Sequence, residues 1–118
     1  MIAIIFESWP LPNRQEAYLE AAARLKPLVE AQDGFISIER FESVTDPGKF
    51  VSISYWRDEE AVRQWRNVEQ HRRVQEAGRK SIFSDYRLKV AKVIRDYGKS
   101  ADRDQAPEDS RRAHSPGE

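Results

Sequence analysis

The residues whose side chains could do chemistry are concentrated in one stretch, residues 65–79. If that stretch is helical, four of them share one side with Val68, at spacings of three and four: His71, Arg72, Gln75 and Arg79. If that side faces the core, it lines an amphipathic cavity with hydrogen-bond donors, which suits an aromatic or quinone-like molecule. If it faces outward, it is a solvated basic stripe, and periodicity alone favours this second interpretation.

His71 is the candidate general base of this stretch. The chain has two histidines, and the other, His114, lies in a polar segment near the C-terminus. An imidazole with its ordinary pKa of about 6.5 can accept a proton from a phenolic hydroxyl at neutral pH. Trp65 could stack on an aromatic substrate, and Arg72 or Arg79 could stabilise the anion that deprotonation leaves. His71 and Trp65 also have a structural interpretation, as a surface or capping histidine and as a core tryptophan.

The rest of the sequence excludes several classes of site. The chain of 118 residues has no cysteine, so it has no disulfide, thiolate metal site or cysteine nucleophile. It also lacks the glycine-rich nucleotide-binding loops, the HExxH zinc motif and the GxSxG nucleophile motif. Two histidines almost exclude a multi-histidine metal site within one chain. We therefore expect neither a metal nor a cofactor.

The net charge of the chain bears on which classes of binding partner are expected. The 20 Lys and Arg residues balance the 20 Asp and Glu residues, so the formal net charge is zero. A balanced chain gives no electrostatic reason to bind nucleic acid or an anionic membrane surface. The first apolar run, residues 2–6, is too short for a signal peptide and has no basic leader. We expect no nucleic acid and no membrane among the partners, and a cytoplasmic location.

Alternating periodicities predict the order β-α-β-β-α-β over residues 1–97. The predicted strands are 2–8, 35–43, 49–56 and 82–94. The first helix has apolar residues at spacings of three and four, and Pro27 is expected to kink it or end its regular part. The second begins at the acidic run Asp58-Glu59-Glu60 and breaks near Asn67. The order predicts an α+β, ferredoxin-like fold, with two helices on one face of a four-stranded antiparallel sheet.

The predicted hairpin has large apolar side chains on both faces. Strict alternation assigns Ile36, Ile38, Val51, Ile53 and Tyr55 to one face, and Phe35, Phe41, Phe50 and Trp56 to the other. Residues 1–97 leave no second helical layer to cover the free face, so the economical solution is a second subunit packed sheet against sheet. The alternative is that these aromatic residues lie singly at strand ends.

The composition changes near residue 98. From Gly98 to Glu118 there is no Val, Ile, Leu, Met, Phe, Trp or Tyr. Such a segment buries too little apolar surface to offset its ordering entropy. We expect a folded domain at 1–97 and a flexible polar tail at 98–118.

The passage from the hairpin into the second helix carries the most specific motif. It reads Phe50-Val-Ser-Ile-Ser-Tyr-Trp56, then Arg57-Asp-Glu-Glu-Ala-Val-Arg-Gln-Trp65, then Glu69-Gln-His71. Together with Asp33-Gly34-Phe35 and Phe83-Ser-Asp-Tyr86, it resembles the antibiotic biosynthesis monooxygenase family over residues 2–97. The resemblance implies a dimeric α+β barrel, in which two ferredoxin-like subunits pack their sheets together.

The resemblance also implies a pocket between the helices and the sheet of each subunit. Members of the family include cofactor-independent oxygenases of polyketide phenols, quinol monooxygenases and haem-degrading enzymes. Haem degradation is disfavoured, because Gln75 stands where that branch has its axial histidine and the first strand ends in Glu7 and Ser8 rather than near an asparagine.

The resemblance therefore implies a homodimeric, cofactor-independent monooxygenase that acts on a phenolic, quinol or similar small aromatic substrate with dioxygen. The alternative is a small-molecule-binding or stress-response protein of the same fold without turnover, since fold alone does not fix function. Catalytic roles are expected for His71, Trp65 and Arg72. The expected substrate-binding residues are Asn67, Gln75, Arg79, Tyr55 and Phe83.

Overall fold

The computed structural model describes residues 1–68, 72–73 and 81–113 of the chain. The elements occur in the order β1 (Ile2–Pro10), α1 (Gln15–Glu30), β2 (Phe35–Glu42), β3 (Phe50–Trp56), α2 (Glu59–Arg66) and β4 (Phe83–Lys92). This is the predicted ferredoxin-like α+β order. Within the described ranges, no helix is both long and apolar enough to cross a membrane.

The four strands form one antiparallel sheet in the order β2-β3-β1-β4. In register, Ile4 of β1 lies opposite Ser54 of β3 on one side and Val90 of β4 on the other. Residues that are partners across a sheet point to the same face, so this register defines which side chains meet the helices.

The face of the sheet that meets the helices carries the core. One cluster packs α2 and the end of α1 against the sheet, through Ile2, Val29, Trp56 and Ala61. A second cluster packs the start of α1 against the other end of the sheet, through Tyr18, Phe50 and Ile82. The two clusters leave a space between them, which is the cleft described below.

Pro27 does not end the first helix. α1 passes through Pro27 and continues to Glu30, and Pro27 itself is exposed. The break predicted near Asn67 is confirmed, because Asn67 is the C-cap residue of α2.

A β-bulge in β2 overturns the predicted faces of the hairpin. The register shifts between Phe35 and Ser37, so Phe35 pairs with Trp56 but Ile38 pairs with Ser54. The extra residue at a bulge reverses the alternation beyond it. Ile38 therefore faces the helices, whereas Phe41 lies opposite Val51 on the free face of the sheet.

The free face of the sheet is partly apolar and partly charged. Ile5, Val51, Ile53 and Tyr55 are half-buried there, and Phe41 is 46% exposed. Towards one end, Glu7 accepts a hydrogen bond from Lys89 at 2.7 Å and lies 3.6 Å from Lys49. The pKa of Glu7 is lowered, chiefly by the hydrogen bond from Lys89.

Beyond β4 the chain forms a single 3-10 turn (Arg103–Gln105) and a short helix, α3 (Glu108–Ala113). The Arg103 guanidinium lies 5.5 Å from the centroid of the Tyr97 ring and donates to the Gly98 carbonyl at 3.1 Å. The boundary near residue 97 and the flexibility of the tail stay predictions.

Candidate functional site

A cleft of about 600 Å³ lies between the sheet and the two helices α1 and α2. This volume falls within the range of about 300–1,000 Å³ that is usual for small-molecule sites. The lining is mostly apolar and includes Ile4, Phe6, Leu25, Val29, Ile38, Val62, Trp65, Phe83, Leu88 and Val90. The cleft is therefore a site for a molecule with a large apolar surface.

Two rows of side chains cross the sheet beneath the cleft. The first row is Arg40, Ser52, Phe6 and Leu88, and the second is Ile38, Ser54, Ile4 and Val90. The β3 member of each row is a serine, and serine is small enough to leave room above the middle of the sheet. Ser52 and Ser54 are both buried.

Aromatic rings form the two ends of the cleft. At one end, Trp65 of α2 stacks on Trp56 of β3 with ring centroids 6.5 Å apart and planes 23° apart. At the other end, Phe83 meets Phe6 at 5.6 Å and Tyr18 at 5.2 Å, both in edge-to-face geometry. These contacts hold the rings in fixed orientations while their other surfaces line the cleft.

The polar atoms of the cleft belong to a few side chains. Trp56 donates a hydrogen bond from Nε1 to Oγ of Ser54 at 2.9 Å. Arg40 donates from Nε to the hydroxyl of Tyr18 at 3.0 Å, and its guanidinium carbon lies 5.4 Å from the centroid of the same ring. The Arg40–Tyr18 pair joins β2 to α1 across the cleft.

A polar cluster fixes the N-terminus of α2. Because Trp65 lies near the other end of the same helix, the cluster also fixes the position of Trp65. Asp58 is the N-cap residue and accepts a hydrogen bond from the backbone N–H of Ala61 at 2.9 Å. That bond is the main reason that the pKa of Asp58 is lowered. Arg57 donates two hydrogen bonds to Asp33, each at 3.1 Å, and they chiefly lower the pKa of the Asp33 carboxyl.

Gly34 lets α2 approach the preceding turn. Its φ is +86°, and a Cβ atom at this position would lie 2.6 Å from Cβ of Ala61. The backbone N–H of Arg57 also donates to the Gly34 carbonyl at 2.7 Å. A glycine is needed here both for the left-handed backbone and for the close approach of α2.

The predicted site residues that the structure describes fall into three groups. Trp65 and Phe83 line the cleft. Asn67 and Arg72 contact each other, since Arg72 donates from Nε to Oδ1 of Asn67 at 3.2 Å and from Nη2 to the same oxygen, but both are exposed and neither lines the cleft. Tyr55 lies on the free face of the sheet, away from the helices.

The remaining predicted residues, His71, Gln75 and Arg79, lie outside the described residues. In the parts of the chain that are described, no group of three or more His, Asp and Glu side chains could hold a metal ion.

Sequence reasoning missed the polar part of the cleft. The sequence analysis gives neither Tyr18 nor Arg40 a role in binding. The pattern Ser52-x-Ser54-x-Trp56 did carry a signal, because two small polar residues alternating onto the core side of a central strand indicate space above that strand.

Comparison with known proteins agrees with this geometry. The family model that matches is described as antibiotic biosynthesis monooxygenase and covers residues 1–77. A protein of Pyricularia oryzae named jasmonate monooxygenase ABM is 41% identical over 93 residues, which are 79% of this chain and 43% of that protein. YqjZ of Bacillus subtilis, an uncharacterized protein, is 33% identical over 93 residues, which are 79% of each chain.

A solved structure of similar fold is Rv0793 of Mycobacterium tuberculosis. It superposes with a TM-score of 0.74 over 82% of this chain and 98% of that one, at 18% identity. At this identity the likeness shows the fold alone.

The chain belongs to the antibiotic biosynthesis monooxygenase family. The resemblance read from the sequence is confirmed. The chain spans less than half the length of the Pyricularia relative.

Proposed function

We propose that this chain is a cofactor-independent monooxygenase that oxidises a phenolic, quinol or similar electron-rich small molecule in the cleft between its helices and its sheet. The observation that carries the proposal is the cleft itself, because an apolar space of about 600 Å³ walled by aromatic rings is present in a member of a monooxygenase family. The name of the Pyricularia relative supports a monooxygenase with a small organic substrate.

The reaction needs few catalytic groups from the protein, because the substrate anion itself reacts with dioxygen. The deprotonated substrate gives one electron to dioxygen, and the two radicals combine to a peroxide anion on the substrate carbon. This anion takes back the proton that the general base removed and becomes a hydroperoxide. Loss of water from that hydroperoxide converts a CH₂ group into a carbonyl, so one oxygen atom enters the product and the other leaves as water. The protein has to orient the ring, stabilise the anion and exclude bulk water.

The described residues are suited to these tasks. Trp65, fixed by its stacking on Trp56, offers an aromatic surface to a planar substrate. The apolar lining excludes water, and Arg40 is a cation within reach of an anion in the cleft. His71 stays the proposed general base, at a position outside the described residues.

We also propose that the protein is a homodimer joined through the free face of the sheet. Half-buried Ile5, Val51, Ile53 and Tyr55, with exposed Phe41, form an apolar surface there that a second copy of the chain would cover.

Oxygen uptake tests the proposed function. The purified full chain, dialysed against a chelator and showing no flavin or haem absorbance, is mixed with a panel of quinols and anthrones, with and without carboxyl groups. We expect consumption of dioxygen with at least one member of the panel, and a loss of about tenfold or more in kcat/KM for His71→Ala and Trp65→Phe.

Tight binding of panel members without any oxygen uptake would instead support a binding protein of the same fold. Uptake that is unchanged in both variants would contradict the assigned site.

A further inference from the structure

We propose that Arg40, held in place by Tyr18, is an anion subsite of the cleft and that the substrate is an apolar molecule carrying a carboxylate. This inference rests on the proposed function, because it assigns the substrate class of the same cleft.

The charged residues that the structure describes around the cleft are mainly cationic. They are Lys26, Arg40, Arg66 and Glu39. Of these four, only Arg40 is half-buried, whereas the other three are exposed. Among the described residues the cleft therefore has one internal cation, and Lys26 and Arg66 at its margin add positive potential that favours the entry of anions.

The Tyr18 ring anchors the arginine rigidly. Tyr18 is 6% exposed and packs against Phe50 at 5.7 Å and Phe83 at 5.2 Å. Its hydroxyl accepts the hydrogen bond from Arg40 Nε. Because the Nε–H is used in this way, the guanidinium is oriented. No described residue accepts a hydrogen bond from its two terminal NH₂ groups, which leaves them for a ligand.

The terminal end of a guanidinium matches a carboxylate in shape. Two parallel N–H groups can donate to the two carboxylate oxygens, and this paired contact is stronger and more selective than a contact with a single oxygen. Ser52, the register partner of Arg40, also lines the cleft and supplies a hydroxyl donor on the same floor.

An anionic ligand would also offset a desolvation cost. Among the described residues, no carboxylate forms an ion pair with Arg40. A half-buried cation against apolar walls is unfavourable until a counter-charge arrives. By contrast, Arg57 and Arg63 each form an exposed ion pair with a nearby carboxylate.

The test compares the binding of two matched probes by calorimetry at neutral pH: naphthalene-1-acetate and its neutral amide. We expect the full chain to bind the acid at least about tenfold more tightly than the amide, as the strength of charge-assisted hydrogen bonds implies. Arg40→Met should reduce that ratio to within about twofold and leave the affinity for the amide unchanged. Lys26→Met removes the same charge at an exposed position and should keep most of the ratio.

A wild-type chain without a preference for the acid would overturn the subsite, as would an Arg40→Met variant that keeps the preference. If Lys26→Met lowered the ratio of acid to amide affinity as much as Arg40→Met does, the subsite would also be overturned, because the preference for the acid would then reflect net charge. If Arg40→Met gives no cooperative melting curve, Arg40→Lys replaces it. Lysine keeps the charge but lacks the paired donors, so the ratio should fall several-fold, and an unchanged ratio would contradict the proposal.

The probes need no turnover, so this test and that of the proposed function can fail separately. A preference that depends on Arg40, in a chain that consumes no oxygen with any substrate, supports the subsite and contradicts the monooxygenase. Oxygen uptake by a chain that binds the acid and the amide with equal affinity supports the monooxygenase and overturns the subsite.

Discussion

Gly34 and Asp58 decide where α2 lies, and α2 carries Trp65 into the cleft. Gly34 allows the helix to come into contact with the preceding turn, and Asp58 satisfies the backbone N–H of Ala61 at its first turn. Neither residue lines the cleft. Their contribution to function is therefore the placement of a wall and not a contact with substrate.

Gly34→Ala should destabilise the protein far more than Gly48→Ala. Both glycines have positive φ, +86° and +90°, so both variants carry backbone strain of about 1–2 kcal/mol. Only at Gly34 does the added Cβ meet another Cβ at 2.6 Å, and we expect about 1–3 kcal/mol more from this overlap. Urea unfolding of the two variants measures the difference, and equal losses would contradict the close approach of α2 to the turn.

Asp58→Asn should be less stable than the wild type at pH 7, and the difference should shrink in acid. The pKa of Asp58 is lowered in the folded state. The stability that its charge contributes is therefore complete above the unfolded-state pKa of about 3.9, and it is lost as the pH falls through the folded-state pKa. Asparagine can still cap the helix but carries no charge. Melting curves of both proteins between pH 7 and pH 3 test this.

Both the wild type and the Asp58→Asn variant contain the other carboxyl groups with lowered pKa values, those of Glu7, Asp33 and Glu60. Their effects therefore largely cancel in the comparison. A difference in stability that stays constant across the pH range would show that the charge of Asp58 has no role.

At the scale of elements, the sequence predicts the strands and helices well and their faces less well. The order of elements, the turn at Gly34 and the end of α2 at Asn67 follow from local signals that the chain carries in a few adjacent residues. The bulge at Phe35–Ser37 does not, because it is set by pairing with β3, and it reverses the faces of Ile38 and Phe41.

The part of the candidate site that depends on residue type alone could be predicted, whereas the part that depends on long-range contacts could not. Trp65 and Phe83 line the cleft as expected from their types. Arg40 and Tyr18 are 22 residues apart on two different elements, and nothing in either segment alone indicates that they share a hydrogen bond. Tyr55, an expected substrate-binding residue, lies on the free face, because successive strand residues face opposite sides of the sheet and Trp56 faces the helices.

Filling the cleft from α1 should block binding. Ala22 is half-buried and lines the cleft, whereas Ala31, just beyond the helix, is exposed and does not. Ala22→Phe should therefore weaken the binding of naphthalene-1-acetate by about tenfold or more, and Ala31→Phe should leave it unchanged. Calorimetry on both variants provides the comparison, and equal affinities would place the ligand elsewhere.

At the scale of the whole molecule, the two faces of the sheet have different expected roles, with the cleft on one and a second subunit on the other. Ile53→Lys puts a charge in the middle of the free face, between Ile5 and Glu39 in register. We expect the wild type to have the mass of a dimer by light scattering and Ile53→Lys the mass of a monomer. Val44→Lys, at a site that is 95% exposed, is the control and should remain a dimer.

A wild-type protein of monomer mass would contradict the pairing of sheets. So would an Ile53→Lys variant that remains a dimer, because the interface would then lie on another surface.

The most direct test of the central claim follows the oxygen atoms. The chain, freed of metal by chelation, is incubated under ¹⁸O₂ in ordinary water with a substrate that supports oxygen uptake, and the product is analysed by mass spectrometry immediately after quenching. A monooxygenase acting in this cleft should place one ¹⁸O atom in each product molecule, and Ala22→Phe should abolish the labelled product while Ala31→Phe should not. A product without ¹⁸O, or equal labelling by both variants, would contradict the account.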